Sequence, residues 1–252
     1  MSRSREVREV REVREVRELP DTIETIPEGL AFWAKRTPAA PAIRSVTGRE
    51  LTHAEVEEAV ARVVARLGSL GIGREARVAT SLRGGIEACV ALLGVMTIGA
   101  AVPFNPAATK HELTRDLGRL RVDLLVTEGA ADGPSVHAAE LGIPTVSIGE
   151  LLPGDGASGA SVARAYPETI AAILHTSGTT GLPKRVPRDH RSFVVAARAA
   201  RLTTGLAADD VAIRWLQWAL QPERLKGTLT LLAEPLDPAQ TPPEAWRQQT
   251  SQ

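Results

Sequence analysis

The chain has 252 residues, enough for one or two domains with a buried core. Thirty basic residues (lysine plus arginine) balance thirty acidic ones, and this zero net charge argues against nucleic acid or an anionic membrane as the main partner. The single cysteine, Cys89, excludes an internal disulfide, and no spacing of cysteines and histidines indicates a metal site. Cys89 lies in an apolar run and is interpreted as a small core residue rather than a nucleophile.

Residues 1–20 form a low-complexity segment in which Arg-Glu-Val occurs four times in succession. A three-residue repeat drifts around a helix and makes no single apolar stripe, so we expect a frayed, solvated helix or a disordered tail. A docking segment for a partner and an over-extended translation start are the alternatives. The N-terminus lacks the apolar core of a secretory signal, and the most hydrophobic stretch, residues 88–102, is too short to span a membrane. We therefore expect a cytoplasmic protein.

From residue 21 onward, helical and strand patterns alternate. Apolar spacing predicts a helix at 26–36, and a Thr-Gly turn predicts a small hairpin of 42–45 with 49–52. Capping boxes at Thr52/Glu55 and Thr109/Glu112 predict two helix starts. The other predicted elements are strands at 77–82, 101–104, 123–127 and 144–148, and helices at 86–98 and 136–141. This alternation predicts an α/β fold with a mostly parallel, helix-covered sheet.

The next part of the chain carries the strongest functional signal. A Gly-, Ser- and Ala-rich linker or long loop at 154–163 precedes an apolar run at 169–174, which predicts a buried strand. The strand leads into T-S-G-T-T-G-L-P-K, residues 176–184. Glycines let the backbone curl so that several N–H groups point at one anion, while hydroxyl groups and a lysine add donors and charge. The predicted phosphate-binding residues are Thr176, Ser177, Gly178, Thr179, Thr180, Gly181 and Lys184. The spacing differs from that of a Walker loop.

This loop resembles the phosphate-loop signature of the acyl-adenylate-forming family, which comprises acyl-CoA synthetases, adenylation domains of peptide synthetases and luciferases. Residues 176–184 match the signature T-S-G-T-T-G-x-P-K at every fixed position. Segments at 51–56, 91–95 and 99–106 are similar to the family's N-terminal region in the same order, so the resemblance spans roughly 26–216. It implies activation of a carboxylic acid by ATP with Mg²⁺, followed by transfer to coenzyme A or a carrier-protein pantetheine. It does not indicate which acid.

The residues after the loop depart from the usual family pattern. Arg185 stands where the family most often has glycine, which adds positive charge near a phosphate and puts the mobility of the loop in doubt. Asp189 predicts the N-cap of a helix that extends to about residue 206, and His190 is interpreted as a helix-start residue. A further strand is predicted at 209–215.

Several groups that the resemblance implies are not found in this sequence. They are the aromatic-Gly-x-Thr-Glu motif, whose aromatic stacks on adenine and whose Glu binds magnesium, the ribose-binding Asp and a C-terminal lysine. We expect a tail at 1–20, a partial AMP-binding domain at 21–236 and a Pro-rich polar tail at 237–252. No catalytic residue is assigned.

Three functional hypotheses follow from these observations. The first is the N-terminal portion of a carboxylate ligase that cannot complete catalysis alone. The second is a non-catalytic relic, or half of a split enzyme that assembles with a separately encoded C-terminal half. The third is a phosphate-binding α/β module such as a nucleotide sensor.

Overall fold

The computed structural model describes residues 19–45, 48–129, 133–152, 165–176 and 184–204. The predictions for the Arg-Glu-Val repeat, the linker at 154–163, the strand at 209–215 and the tail at 237–252 lie outside the described residues. Among the described residues, no helix is both long and apolar enough to cross a membrane.

Helices and strands alternate through most of the described chain. The helices are α1 (Ile26–Arg36), α2 (His53–Ser69), α3 (Ile86–Ile98), α4 (Lys110–Leu120), α5 (Gly133–Glu140), α6 (Ile148–Leu151) and α7 (His190–Thr204). The strands are β1 (Pro41–Arg44), β2 (Glu50–Thr52), β3 (Arg77–Ser81), β4 (Ala100–Pro103), β5 (Leu124–Thr127), β6 (Thr145–Ser147), β7 (Ile170–Thr176) and β8 (Lys184–Asp189). The predicted elements that fall within the described residues are confirmed, with shifts of a few residues at their ends.

The main sheet has the strand order β6-β5-β3-β4-β7-β8, and β1 and β2 form a separate antiparallel hairpin. Val78 of β3 lies opposite Ala101 of β4 and opposite Leu124 of β5, and both pairings are parallel. The pairings of β4 with β7 and of β5 with β6 are also parallel. Among the described strands of this sheet, only β8 runs antiparallel to its neighbour. The predicted α/β fold with a mostly parallel sheet is confirmed.

Capping boxes set where four of the described helices begin. The predicted capping boxes at Thr52 and Thr109 are both present, with each threonine hydroxyl accepting from the amide of the glutamate three residues later. Two further boxes start α1 at Thr25 and α6 at Ser147. The box at Ser147 explains the short helix α6, which begins where the sequence pattern predicted the end of a strand.

The core occupies both faces of the sheet. On one face, α2 and α3 pack together over the strands, and eleven of the thirteen α3 residues are buried. On the other face, α4 and α5 cover β3 to β5 through a smaller cluster. The members of that cluster are Ala79, Val102, Phe104, Leu113, Leu117, Leu120, Val122, Leu125 and Ala138. This three-layer arrangement fixes the strand ends at which the candidate site lies.

Candidate phosphate-binding site

The segment 176–184 connects β7 and β8, which form an antiparallel hairpin. Thr176 is the last residue of β7 and pairs with Lys184, the first residue of β8. Ser177, Gly178, Thr179, Thr180 and Gly181 lie between them, outside the described residues. The structure therefore brings together the two ends of the candidate loop, while the role of each loop residue stays a prediction.

The stem of this hairpin reaches the carboxyl edge of the parallel part of the sheet. Since β3, β4, β5 and β7 are parallel, their carboxyl ends share one edge, the position at which open α/β sheets bind ligands. After β3 the chain turns through Gly84 and Gly85, whose φ angles of 131° and 103° favour glycine. Between them and β3, the Arg83 amide donates to the Glu128 carboxylate beyond β5, which ties two neighbouring strand ends together.

On the incoming strand, His175 anchors the hairpin to the end of β4. Its ring lies against Phe104, with 5.2 Å between the ring centroids and 41° between the planes. Burial lowers the pKa of His175, outweighing the nearby Asp116 carboxylate and Pro103 carbonyl, which raise it. His175 is therefore a neutral side chain at pH 7 that packs the stem, a contact that nothing in the local sequence indicated.

On the outgoing strand, Arg185 reaches the last turn of α4. Its Nη1 donates to the backbone carbonyl of Arg119 at 3.3 Å. The two residues line a polar cleft together with Asp116, Leu120 and His175. Asp116 is held in this cleft by a bidentate ion pair with Arg115, at 2.7 and 2.8 Å. Arg185 thus contacts a helix end, rather than standing free beside the loop.

The hairpin ends in α7, which begins as the sequence predicted. Asp189 Oδ1 accepts hydrogen bonds from the Ser192 hydroxyl and, at 2.7 Å, from the Ser192 amide. These two contacts lower the pKa of Asp189. His190 is the first residue of α7 but is 1% exposed, and its Nδ1 accepts from the Ile26 amide at 3.3 Å. The interpretation of His190 as a helix-start residue is confirmed, but the sequence did not reveal that it also caps α1.

This buried histidine predicts a pH dependence of stability. Burial lowers the pKa of His190 despite Asp189 and Glu28, whose charges raise it, so the unfolded chain takes up this proton more readily than the folded one. The free energy of unfolding should therefore fall as pH decreases below about 6.5, the ordinary histidine value. The change should be smaller in His190→Asn, whose amide oxygen can accept from the Ile26 N–H but does not titrate.

Urea unfolding between pH 8 and 5.5 measures this difference. The matched control is His111→Asn, at an exposed position in the first turn of α4, which should keep the pH profile of the wild type. Identical profiles for the wild type and His190→Asn would refute the assignment.

The structure also bears on nucleophile and metal chemistry outside the hairpin. Cys89 is buried in α3, and burial raises the pKa of its thiol to about 12, so it is the core residue that the sequence predicted. Within the described ranges, no three His, Cys, Asp or Glu side chains are grouped so as to hold a metal ion.

Comparison with known proteins gives one family match and related ligases. The sequence model of a family described as AMP-binding enzyme matches residues 30–233. The 4-coumarate–CoA ligase 3 of Oryza sativa subsp. japonica is 34% identical over 166 residues, which cover 60% of this chain and 29% of that protein. The 2-succinylbenzoate–CoA ligase of Bacillus cereus is 30% identical over 211 residues, covering 83% of this chain and 41% of that protein. The chain thus spans less than half the length of either relative.

The fold is also similar to that of solved structures. VinN in complex with L-aspartate matches with a TM-score of 0.66 and 25% sequence identity. The match covers 74% of this chain and 49% of that one.

Proposed function

The chain belongs to the AMP-binding enzyme family, and from this premise we propose that its loop 176–184 binds the β- and γ-phosphates of ATP for the activation of a carboxylic acid. The observation that carries the proposal is the position of Thr176 and Lys184. They are paired across the stem of a loop at the carboxyl edge of a parallel sheet, within the part of the chain that the family matches. A hydroxyl-, glycine- and lysine-bearing loop at such an edge suits a polyphosphate.

The chemistry that this loop would support is acyl-adenylate formation. A carboxylate oxygen attacks the α-phosphorus of ATP, the bond from that phosphorus to the bridging oxygen breaks, and pyrophosphate leaves with the electron pair. Both reactants are anions, and negative charge grows on the leaving pyrophosphate. Donors and a cation fixed around the β- and γ-phosphates stabilise this charge where it develops. We propose this role for the loop amides, the hydroxyl groups and Lys184.

Magnesium would accompany ATP in such a reaction. The described residues offer no cluster of metal ligands. Magnesium is commonly held by one or two carboxylates together with substrate phosphates. An ion that arrives bound to ATP therefore fits the described residues better than a dedicated protein site.

The class of acid substrate and acceptor is supported by the relatives. The names of the two ligases specify 4-coumarate or 2-succinylbenzoate with coenzyme A, and VinN was solved with L-aspartate. The three acids, 4-coumarate, 2-succinylbenzoate and L-aspartate, share a carboxylate but differ in the rest of their structure. We therefore propose a carboxylic acid substrate without choosing among acids, and coenzyme A or a carrier pantetheine as the thiol that accepts the acyl group.

We propose that this chain supplies the phosphate side of the site, since it spans less than half of either relative. Contacts to adenine, ribose and the acid would then come from residues outside this sequence, including a separately encoded half. ATP binding by the chain alone should be weak, because only the phosphates are held. It should also tolerate a change of base.

The test is binding of ATP, GTP and pyrophosphate to the purified chain, followed by ATP–pyrophosphate exchange with a panel of carboxylic acids. We expect millimolar binding of all three and no exchange by the chain alone. Absence of both ATP and pyrophosphate binding would refute the phosphate-site proposal. Strong selectivity for adenine without dependence on an acid would favour a nucleotide sensor instead. Acid-dependent exchange would show that the chain catalyses the complete adenylation step.

A further inference from the structure

The stem of the β7–β8 hairpin is anchored on both of its strands. His175 and Arg185 face each other one register position before the Thr176–Lys184 pair. His175 packs against the Phe104 ring at the end of β4. Arg185 is fixed by the Arg119 carbonyl. Both anchors therefore lie immediately below the loop.

The partner of Arg185 is well suited to a cation. Arg119 lies in the last turn of α4, where backbone carbonyls have no N–H donor within the helix and the helix dipole is negative. The helix stops directly afterwards at Arg121, which has a φ of 49° in the left-handed region. A guanidinium that donates to one of these carbonyls satisfies it and joins the hairpin to the helix end.

We propose that Arg185 is a positioning residue that holds the outgoing strand of the hairpin against α4 and so fixes the position of Lys184, the next residue of that strand. The functional consequence rests on the proposed ATP site, but the anchoring itself does not. Because strand side chains alternate between faces, anchoring Arg185 on the α4 side directs Lys184 to the opposite face.

Three variants separate anchoring from charge and fold. Arg185→Met keeps the length of the side chain without a donor, and Arg185→Lys keeps a donor. Arg188→Met is the matched control, since Arg188 is an exposed arginine of the same strand on the opposite face. Methionine is chosen instead of glycine, the residue most common in the family at this position, because glycine would also increase the freedom of the backbone.

Amide hydrogen exchange of the nucleotide-free protein is the first measurement. We expect Arg185→Met to speed exchange of the β8 amides about two- to tenfold, the range for one hydrogen bond, without lowering Tm. Arg185→Lys should restore most of the protection, and Arg188→Met should behave as the wild type. Unchanged exchange in Arg185→Met, or an equal effect of Arg188→Met, would overturn the proposal.

Titration with ATP is the second measurement. Arg185→Met should weaken binding about threefold, while Arg185→Lys stays near the wild type. A failure of every variant, including the wild type, to bind ATP would count against the ATP site alone, because exchange without nucleotide still reports on the anchor. Faster exchange with unaltered ATP affinity would confine the role of Arg185 to stability of the hairpin and overturn its positioning role.

Discussion

Replacing Lys184 with methionine is expected to weaken binding of ATP and of pyrophosphate by about 10- to 100-fold. A charge-assisted hydrogen bond to phosphate contributes roughly 1.5–3 kcal/mol, and about 1.4 kcal/mol corresponds to a tenfold change in affinity. Lys184 is exposed at the start of β8, so its loss should leave Tm within about 2 °C of the wild-type value. Titration calorimetry with ATP and with pyrophosphate at low salt checks both affinities, and a thermal melt checks the fold.

The charge of Lys184 can be separated from general electrostatics. Lys184→Arg should retain most of the affinity for phosphate. Lys35→Met removes an exposed lysine from the last turn of α1 and should leave binding unchanged. Higher salt should weaken the wild type more than Lys184→Met, because ionic attraction to the phosphates is screened. Equal affinities of wild type and Lys184→Met would remove Lys184 from the proposed site.

The substitution Gly94→Ala is expected to lower the free energy of unfolding by about 1–3 kcal/mol, the usual cost of overpacking a core. Gly94 lies in α3, where a methyl group would stand 2.3 Å from Val63 Cγ1 and 2.7 Å from Val63 Cβ of α2. Val63 is fully buried, so it has little room to move away. Urea unfolding monitored by circular dichroism measures the effect.

A second helical glycine provides the matched control. Gly68 lies in α2 at an exposed position, and a methyl group there would meet only Ile98 Cδ1, at an ordinary 3.8 Å. Gly68→Ala should therefore stabilise the protein by about 0.5–1 kcal/mol, since alanine favours a helix over glycine. If Gly94→Ala proved as stabilising as Gly68→Ala, the close packing of α2 on α3 would be refuted.

Gly99, directly after α3, is constrained by backbone atoms rather than by a neighbouring side chain. A methyl group at Gly99 would lie 2.8 Å from the Ala76 carbonyl oxygen. The Ala100 amide donates to that same carbonyl at 2.9 Å, where β4 enters the sheet. The close backbone approach of α3 and β4 to β3 thus depends on a residue without a side chain.

The sequence alone determined the elements that depend on neighbours along the chain. The apolar spacing of 26–36 and the long apolar run of 86–98 predicted α1 and α3 with the bounds that the structure has. Thr52 and Thr109 predicted helix starts because a capping box involves residues only three apart. The phosphate loop could be predicted for the same reason, since its glycine, hydroxyl and lysine residues fall within nine positions of sequence.

Only the tertiary structure decided how these elements meet. β8 was not predicted, because its polar, exposed K-R-V-P-R-D sequence contains Pro187, which strands tolerate mainly at sheet edges. The contact of His190 with the Ile26 amide joins residues 164 positions apart, and that of Arg185 with Arg119 joins residues 66 apart. No local pattern encodes such pairs, because they form only when the strand order places distant segments side by side. The proposed chemistry of the loop therefore comes from the sequence, whereas the contacts of its stem were set by packing.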